Sequence, residues 1–211
     1  MKRSAAILGL LFLLPVLTWG QGAVPKPWKK HEIFLGYGGA KSNEQHVFNV
    51  QSDWAGSPEG LVNLGYLYHF SPKGAVGIQG SGWMQTIKDV WVQDQNGNVR
   101  AYSFDLAVDN FGLQGRLIPV QGKVEPYVYL CANLTRGTLS NPDAGTLNIS
   151  GTTFGGGGGA NVFLGSHVTL GVEALALFGS ANYEKQPFGN STGKDFNPSI
   201  FGIMGQIAFR F

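Results

Sequence analysis

Apolar and polar residues alternate along most of this chain, and the alternation has a period of two. Successive side chains of a β-strand point to opposite faces, so this spacing predicts strands rather than helices. The final segment shows it best, because odd-numbered positions from Phe201 to Phe211 are apolar except Gly205, while even-numbered positions are small or polar except Met204. The apolar face of this segment consists of Phe201, Ile203, Ile207, Phe209 and Phe211.

Eight segments carry the alternation, and we predict a strand for each. In the fourth, apolar residues change phase near Asp109, because Val108 lies on the even face and Phe111 on the odd face. We therefore expect a β-bulge near Asp109, since an extra residue restores one continuous apolar face. The predicted strands are Glu32–Ala40, Glu59–Phe70, Gly74–Ile87, Tyr102–Ile118, Lys123–Thr138, Thr152–Leu164, His167–Tyr183 and Phe196–Phe211.

The connections between these strands alternate between long and short. An up-and-down transmembrane barrel has this arrangement, with tight turns and both termini at one end and longer loops at the other. We therefore predict an all-β fold, an eight-stranded antiparallel up-and-down transmembrane β-barrel. The long connections are Lys41–Pro58, Lys88–Ala101, Leu139–Gly151 and Glu184–Asp195, and the short ones are 71–73, 119–122 and 165–166.

Composition favours apolar faces that meet lipid over a soluble barrel with its apolar faces inside. Charged residues make up 13% of the chain, against about 25% in soluble domains, which is too few for a water-facing exterior. The net charge of +2 gives no reason to expect a nucleic-acid partner. The glycine run Gly155–Gly159 predicts close packing against a bulky lumen side chain such as Trp83 or Tyr129.

The N-terminus has the layout of a secretory signal peptide. Lys2 and Arg3 precede an apolar run from Ala5 to Leu17, which is shorter than a membrane-spanning helix requires. An N-terminal anchor helix is the alternative. We expect a signal peptide over 1–20, a periplasmic N-terminal segment over 21–31 and a barrel domain over 32–211. The single cysteine, Cys131, excludes an intramolecular disulfide.

Together these features resemble the small bacterial outer-membrane β-barrels of the OmpA transmembrane-domain and OmpX type, within the porin family. The terminal strand ending in Phe211 carries the resemblance, with the export signal and the loop alternation. The resemblance implies an exported protein of the Gram-negative outer membrane, and a terminal strand that the barrel-assembly machinery reads as a membrane-insertion signal. Because the chain stops at Phe211, we expect no further periplasmic domain.

The polar faces predict a charge network in the lumen. If the fourth turn is centred between Val120 and Gln121, then Arg116 faces Glu125, Gln114 faces Tyr127 and Leu113 faces Val128. Such a network could plug the lumen by pairing buried charges, or it could act as a gate or proton path. The predicted lumen charge network consists of Arg116, Glu125, Glu173, Glu32 and Arg210.

Candidate chemistry is sparse. The triplet His69-Phe70-Ser71 resembles the spacing in an outer-membrane lipid A deacylase family, but no acid partner is evident. The four histidines lack metal-ligand spacing, so we predict no catalytic residue, metal or cofactor. Aromatic residues in the predicted loops, namely Trp54, Trp91 and Phe188, are the candidates for contact with an external ligand or surface.

These observations favour a non-enzymatic outer-membrane barrel with a structural or surface-interaction role through its external loops. Two alternatives stay open, a small porin-like passage for small or hydrophobic solutes and an outer-membrane lipid-modifying enzyme. The partners we expect are outer-membrane lipid and, during insertion, the barrel-assembly machinery. We expect a monomer.

Overall fold

The computed structural model describes residues 29–42, 59–93, 99–143, 145–184 and 199–211. The predicted signal peptide, Trp54 and Phe188 lie outside these residues. Within them, no helix is long and apolar enough to cross a membrane.

Eight antiparallel strands form a closed barrel, as predicted. Each strand pairs with the next along the chain, and β8 closes the barrel on β1, with Glu32 opposite Arg210. The strands are β1 His31–Ser42, β2 Glu59–Ser71, β3 Gly74–Gln93, β4 Val99–Leu117, β5 Val124–Asn141, β6 Gly145–Phe163, β7 Val168–Glu184 and β8 Ser199–Arg210.

The strands are strongly staggered. If the paired positions are followed from Glu32 through β2 and each later strand, the path reaches Ile200 on β8. The residue of β8 that pairs directly with Glu32 is Arg210, ten positions further along the strand. For eight strands this stagger corresponds to a tilt of about 40°, and the resulting interior is narrow enough for side chains to fill.

A belt of apolar side chains covers the outside of the barrel. The predicted lipid-facing face of β8 is exposed from Phe201 to Phe211, and its even-numbered face, including Arg210, is buried in the lumen. With the rise of a β-strand and the tilt above, this span is about 25 Å tall, which matches the apolar band of outer-membrane barrels. Leu130 on β5 is the most exposed member, at 75%.

The predicted bulge near Asp109 is wrong. The pairing of β4 with β3 and β5 passes Asp109 without a register shift. Val108 is buried on the same face as Arg116, and Asp105 and Asp109 are exposed on the same face as Phe111. Both faces of β4 continue without a break, and only their polarity changes. On the loop side of Asp109 the outer face of β4 is polar and its inner face is apolar.

Two of the predicted long loops are largely strand. The β3–β4 hairpin continues to Gln93 and resumes at Val99, and the β5–β6 hairpin continues to Asn141 and resumes at Gly145. Trp91 therefore lies in β3, where its backbone pairs with Ala101, and not in a loop. These hairpins extend past the apolar belt, which is why polar residues dominate their outer face.

The predicted register of β4 against β5 is displaced by four residues. Arg116 pairs with Tyr129 instead of Glu125, and Leu113 pairs with Ala132 instead of Val128. The β4–β5 connection, residues 118–123, is wider than a tight turn, and the Ile118 amide at its start continues the β3–β4 pairing by donating to the Lys73 carbonyl, 2.8 Å away. The displacement is even, so the inward and outward faces remain as predicted.

Candidate functional site

Buried charges close the lumen at the short-turn end. Glu32 is fully buried and accepts hydrogen bonds from Arg116 Nη1 at 2.7 Å and from Arg210 Nε at 2.5 Å. Its second oxygen also lies 3.0 Å from His69 Nε2. One carboxylate therefore joins three strands besides its own: Arg210 and His69 lie on the two strands adjacent to β1, and the bond to Arg116 on β4 crosses the interior.

Arg210 extends this cluster to β5. Its Nη1 donates to Glu125 at 2.6 Å while its Nε is held by Glu32. The predicted direct pair of Arg116 with Glu125 is wrong, because the register displacement moves Glu125 away from Arg116. The structure connects both residues through Glu32 and Arg210 instead. We call Glu32, His69, Arg116, Glu125 and Arg210 the basal network.

Aromatic rings enclose the guanidinium groups of the basal network. The Arg116 guanidinium carbon lies 4.2 Å from the Tyr127 ring centroid and 5.3 Å from that of Phe34. Arg210 lies 5.0 Å from the Phe163 ring centroid. Cation–π contacts of this kind are stronger where water is excluded, so the rings both fill the base of the lumen and stabilise its charges.

Glu173 was predicted to belong to the charge network, but its described contacts are with tyrosines. It is fully buried and accepts hydrogen bonds from Tyr127 at 2.6 Å and Tyr129 at 2.8 Å. Tyr127 also donates towards Gln206 at 3.3 Å. The sequence indicates this cluster only through the two tyrosines on the inward face of β5. The register predicted for β4 and β5 placed Tyr127 opposite Gln114, so the contact of the tyrosines with Glu173 was not predicted.

The glycine run of β6 makes room for these tyrosines. A Cβ atom at Gly157 would lie 2.9 Å from the Tyr129 ring, and one at Gly159 would lie 2.9 Å from the Tyr127 hydroxyl. Tyr129 is the neighbour that the sequence predicted, and Tyr127 takes the place proposed for Trp83. The glycines thus allow two large side chains to cross the lumen towards Glu173.

A neutral polar layer lies above the tyrosines, and sequence reasoning missed it. Gln79 donates to Asn133 at 3.1 Å, and Asn133 donates to Thr153 at 3.2 Å. Thr135 donates to Asn110 at 2.7 Å. Asn133 with Thr153 and Asn110 with Thr135 are paired positions of adjacent strands, whereas the bond from Gln79 to Asn133 joins β3 to β5 across β4. The displaced register hid the β4–β5 pair, and no two-strand pattern predicts the contact between β3 and β5.

The loop-side third of the lumen is apolar. It is packed with large side chains from most of the strands, and Trp83, which the sequence predicted as a lumen side chain, lies inside. The main members of this apolar cluster are Leu61, Trp83, Phe104, Leu106, Val108, Leu139, Ile149, Leu177 and Ile200. The lumen therefore has charged, polar and apolar levels in order from the short turns to the loops.

The candidate enzyme triplet does not assemble. His69 points into the lumen towards Glu32, whereas Ser71 lies at the turn, beyond a register shift, and its Oγ accepts the Lys73 amide at 3.3 Å. Among the described residues, no group of three or more histidine, cysteine or carboxylate side chains is placed to hold a metal ion. Cys131 is buried.

Solved structures with the same architecture identify the fold. The neisserial surface protein A matches with a TM-score of 0.59 over 86% of this chain and 97% of its own, at 12% sequence identity. This chain has the fold of the small eight-stranded outer-membrane β-barrels. The resemblance inferred from the terminal strand is thus confirmed at the level of the fold.

Two further outer-membrane barrels match at similar levels. OprG of Pseudomonas aeruginosa has a TM-score of 0.52 at 13% identity, with 87% of this chain and 97% of OprG covered. Escherichia coli outer membrane protein W has a TM-score of 0.50 at 13% identity, with 87% and 98% covered. No protein-family model and no curated protein sequence matches the chain. At these identities the small-barrel likeness shows the fold, and the role has to be argued from the lumen and the surface.

Proposed function

We propose that this protein is a non-enzymatic integral outer-membrane barrel with a sealed lumen, acting in envelope structure or surface interaction through its external loops. The basal network carries the proposal. The bonds from Arg116 to Glu32 and from Arg210 to Glu125 cross the lumen where a solute would have to leave it, and Glu32 also holds Arg210 and His69 on the two strands beside its own. Opening that path would separate buried charges, which is costly.

The apolar belt supports a place in the membrane. In water, side chains such as Leu113 and Leu130 would be 67% and 75% exposed, and a belt of this size is far larger than the apolar patches of soluble monomers. A lipid bilayer covers such a belt, while the closed barrel satisfies its own backbone groups.

Binding or lateral passage of a small apolar solute is the second candidate function. The apolar cluster favours it, because Trp83, Phe104 and Leu106 at the loop-side end would contact an apolar molecule more favourably than an ion once their packing opened to admit it. The basal network would then stop the solute from continuing to the short-turn end. A solute of this kind would have to leave through the wall instead.

Membrane fractionation combined with heat-modifiable gel migration tests the placement. We expect the protein in the outer-membrane fraction, with a band that shifts between unheated and boiled samples. Leu130→Arg places a charge in the belt and should cost about 2–4 kcal/mol of folding free energy, so it should reduce the folded band. The matched Thr138→Arg lies on the same strand beyond the belt and should not. A soluble protein whose migration is unaffected by boiling would overturn the proposal.

A further inference from the structure

Four lysines lie at the short-turn end of the barrel. Lys29 and Lys30 precede β1, Lys73 lies in the β2–β3 turn, and Lys123 precedes β5. Lys30, Lys73 and Lys123 are exposed. They belong to different segments of the chain, so the barrel closure is what brings them to a single rim. We call Lys30, Lys73 and Lys123 the lysine rim.

Backbone hydrogen bonds fix each member of the lysine rim to the adjacent strand. The Lys30 carbonyl accepts the His69 amide at 2.7 Å, the Lys73 carbonyl accepts the Ile118 amide at 2.8 Å, and the Lys123 carbonyl accepts the Phe163 amide at 2.9 Å. The three ammonium groups are therefore held within one side-chain length of the barrel wall.

The rim borders the apolar belt. Lys73 lies between Phe70 and Val76, which are 55% and 49% exposed. Lys123 bonds to the strand that continues into Leu164, which is 64% exposed. Lysine side chains at such a border place their stems against apolar surface and their ammonium groups at the level of lipid headgroups.

Opposite charge is turned away from the rim. The acidic side chains at this end of the described structure are Glu32 and Glu125, and both point into the lumen, where they bind Arg116 and Arg210. No Asp or Glu side chain among the described residues lies on the outer side of this rim. The basal network thus neutralises its own carboxylates, and Lys73 and Lys123 are exposed on the outer side of the rim.

We propose that the lysine rim binds the phosphate groups of anionic phospholipids in the membrane leaflet next to the short turns. The inference rests on the proposed membrane placement. A lysine ammonium binds phosphate as a point charge, and basic residues near a membrane surface attract anionic lipid. The short turns hold the lysines too close to the belt to reach far from the membrane, which favours a headgroup over a cell-wall polymer.

Native mass spectrometry of the full barrel in detergent tests this. Dioleoyl phosphatidylglycerol and dioleoyl phosphatidylcholine are added in equal amounts, and we expect the phosphatidylglycerol adducts to dominate. Lys73→Gln with Lys123→Gln should reduce those adducts roughly twenty-fivefold, at about fivefold for each lysine. Lys73→Arg with Lys123→Arg should retain them.

The matched control removes the same charge at the loop end. Arg100→Gln with Arg136→Gln changes two exposed residues there and should leave the adducts unchanged. Equal losses of phosphatidylglycerol adducts in the double lysine variant and the double arginine variant would overturn the inference, and so would no loss of adducts in the double lysine variant. The inference would also be overturned if the Lys73→Gln, Lys123→Gln variant keeps its phosphatidylglycerol adducts but no longer sediments with peptidoglycan sacculi. Every variant is first checked for heat-modifiable gel migration, which shows that its barrel has folded. A loss of adducts in a variant that passes this check is therefore not caused by misfolding.

Discussion

Replacing Glu32 with Gln should destabilise the barrel more than any other single change in the basal network. The carboxylate makes three contacts at 2.5–3.0 Å, with Arg116, Arg210 and His69. The glutamine keeps one acceptor oxygen and has no charge, so the bond to the other oxygen is lost and the remaining contacts lose their charge assistance; a bond to a charged group contributes about 1.5–3 kcal/mol. Breaking a buried ion pair costs about 3–5 kcal/mol. The two ranges describe the same loss and are not added, so we expect a loss of about 4 kcal/mol.

Denaturant unfolding of the barrel in detergent micelles or lipid vesicles measures this loss. Glu125→Gln is the matched control, because Glu125 makes one described ion pair, to Arg210, and is 8% exposed. It should cost about 2 kcal/mol, as expected for one charge-assisted bond. If Glu32→Gln unfolds with the stability of the native chain, or no more easily than Glu125→Gln, then Glu32 is not the centre of the network.

Two further predictions test the lumen packing and the exchange of faces along β4. Gly159→Ala should destabilise the barrel by about 1–3 kcal/mol, because its Cβ would overlap with the Val172 carbonyl oxygen and lie 2.9 Å from the Tyr127 hydroxyl. Gly158→Ala meets the Tyr127 carbonyl oxygen at 3.0 Å and should cost less; equal effects in denaturant unfolding would contradict this packing. In a Cys131→Ala background, a membrane-impermeant maleimide should label Asp105→Cys in intact cells rapidly and Leu106→Cys slowly, since Asp105 is exposed and Leu106 is buried. Faster labelling at position 106 would refute the inverted pattern.

The strands and their faces could be predicted from the sequence because the alternation of side chains along a strand does not depend on which residues it pairs with. Arg116 was paired with the wrong residue by four positions, yet it remained inward, since an even displacement preserves the direction of every side chain. Residues 118–123 connect β4 to β5, and the Ile118 amide there bonds to the Lys73 carbonyl in the β2–β3 turn. That contact joins two different turns, so no local pattern contains it.

The change of phase in β4 shows the other limit. Sequence reasoning assumed that one face keeps one environment, and it therefore needed a bulge near Asp109. The strand is longer than the apolar belt, so its environment changes while its geometry does not. Within the belt Phe111 faces outward, and beyond it Phe104 and Leu106 face inward. An alternation that reverses without a glycine or proline is thus a signal that a membrane strand has left the bilayer.

The candidate site was predictable only in part, for a related reason. Inward charge at Glu32, Arg116 and Arg210 follows from alternation, but the choice of partners follows from barrel closure. Glu32 and Arg210 are brought together by the pairing of β1 with β8, which the sequence did predict. The contact from Glu32 to Arg116 crosses the lumen, and it depends on how far every strand is staggered.

A planar-bilayer recording of the purified barrel tests the sealed lumen most directly. The basal network and the side chains above it should leave no continuous aqueous path, so the account predicts a bilayer whose conductance stays at the background level after insertion of the protein. Stable, uniform conductance steps from the native barrel would contradict it.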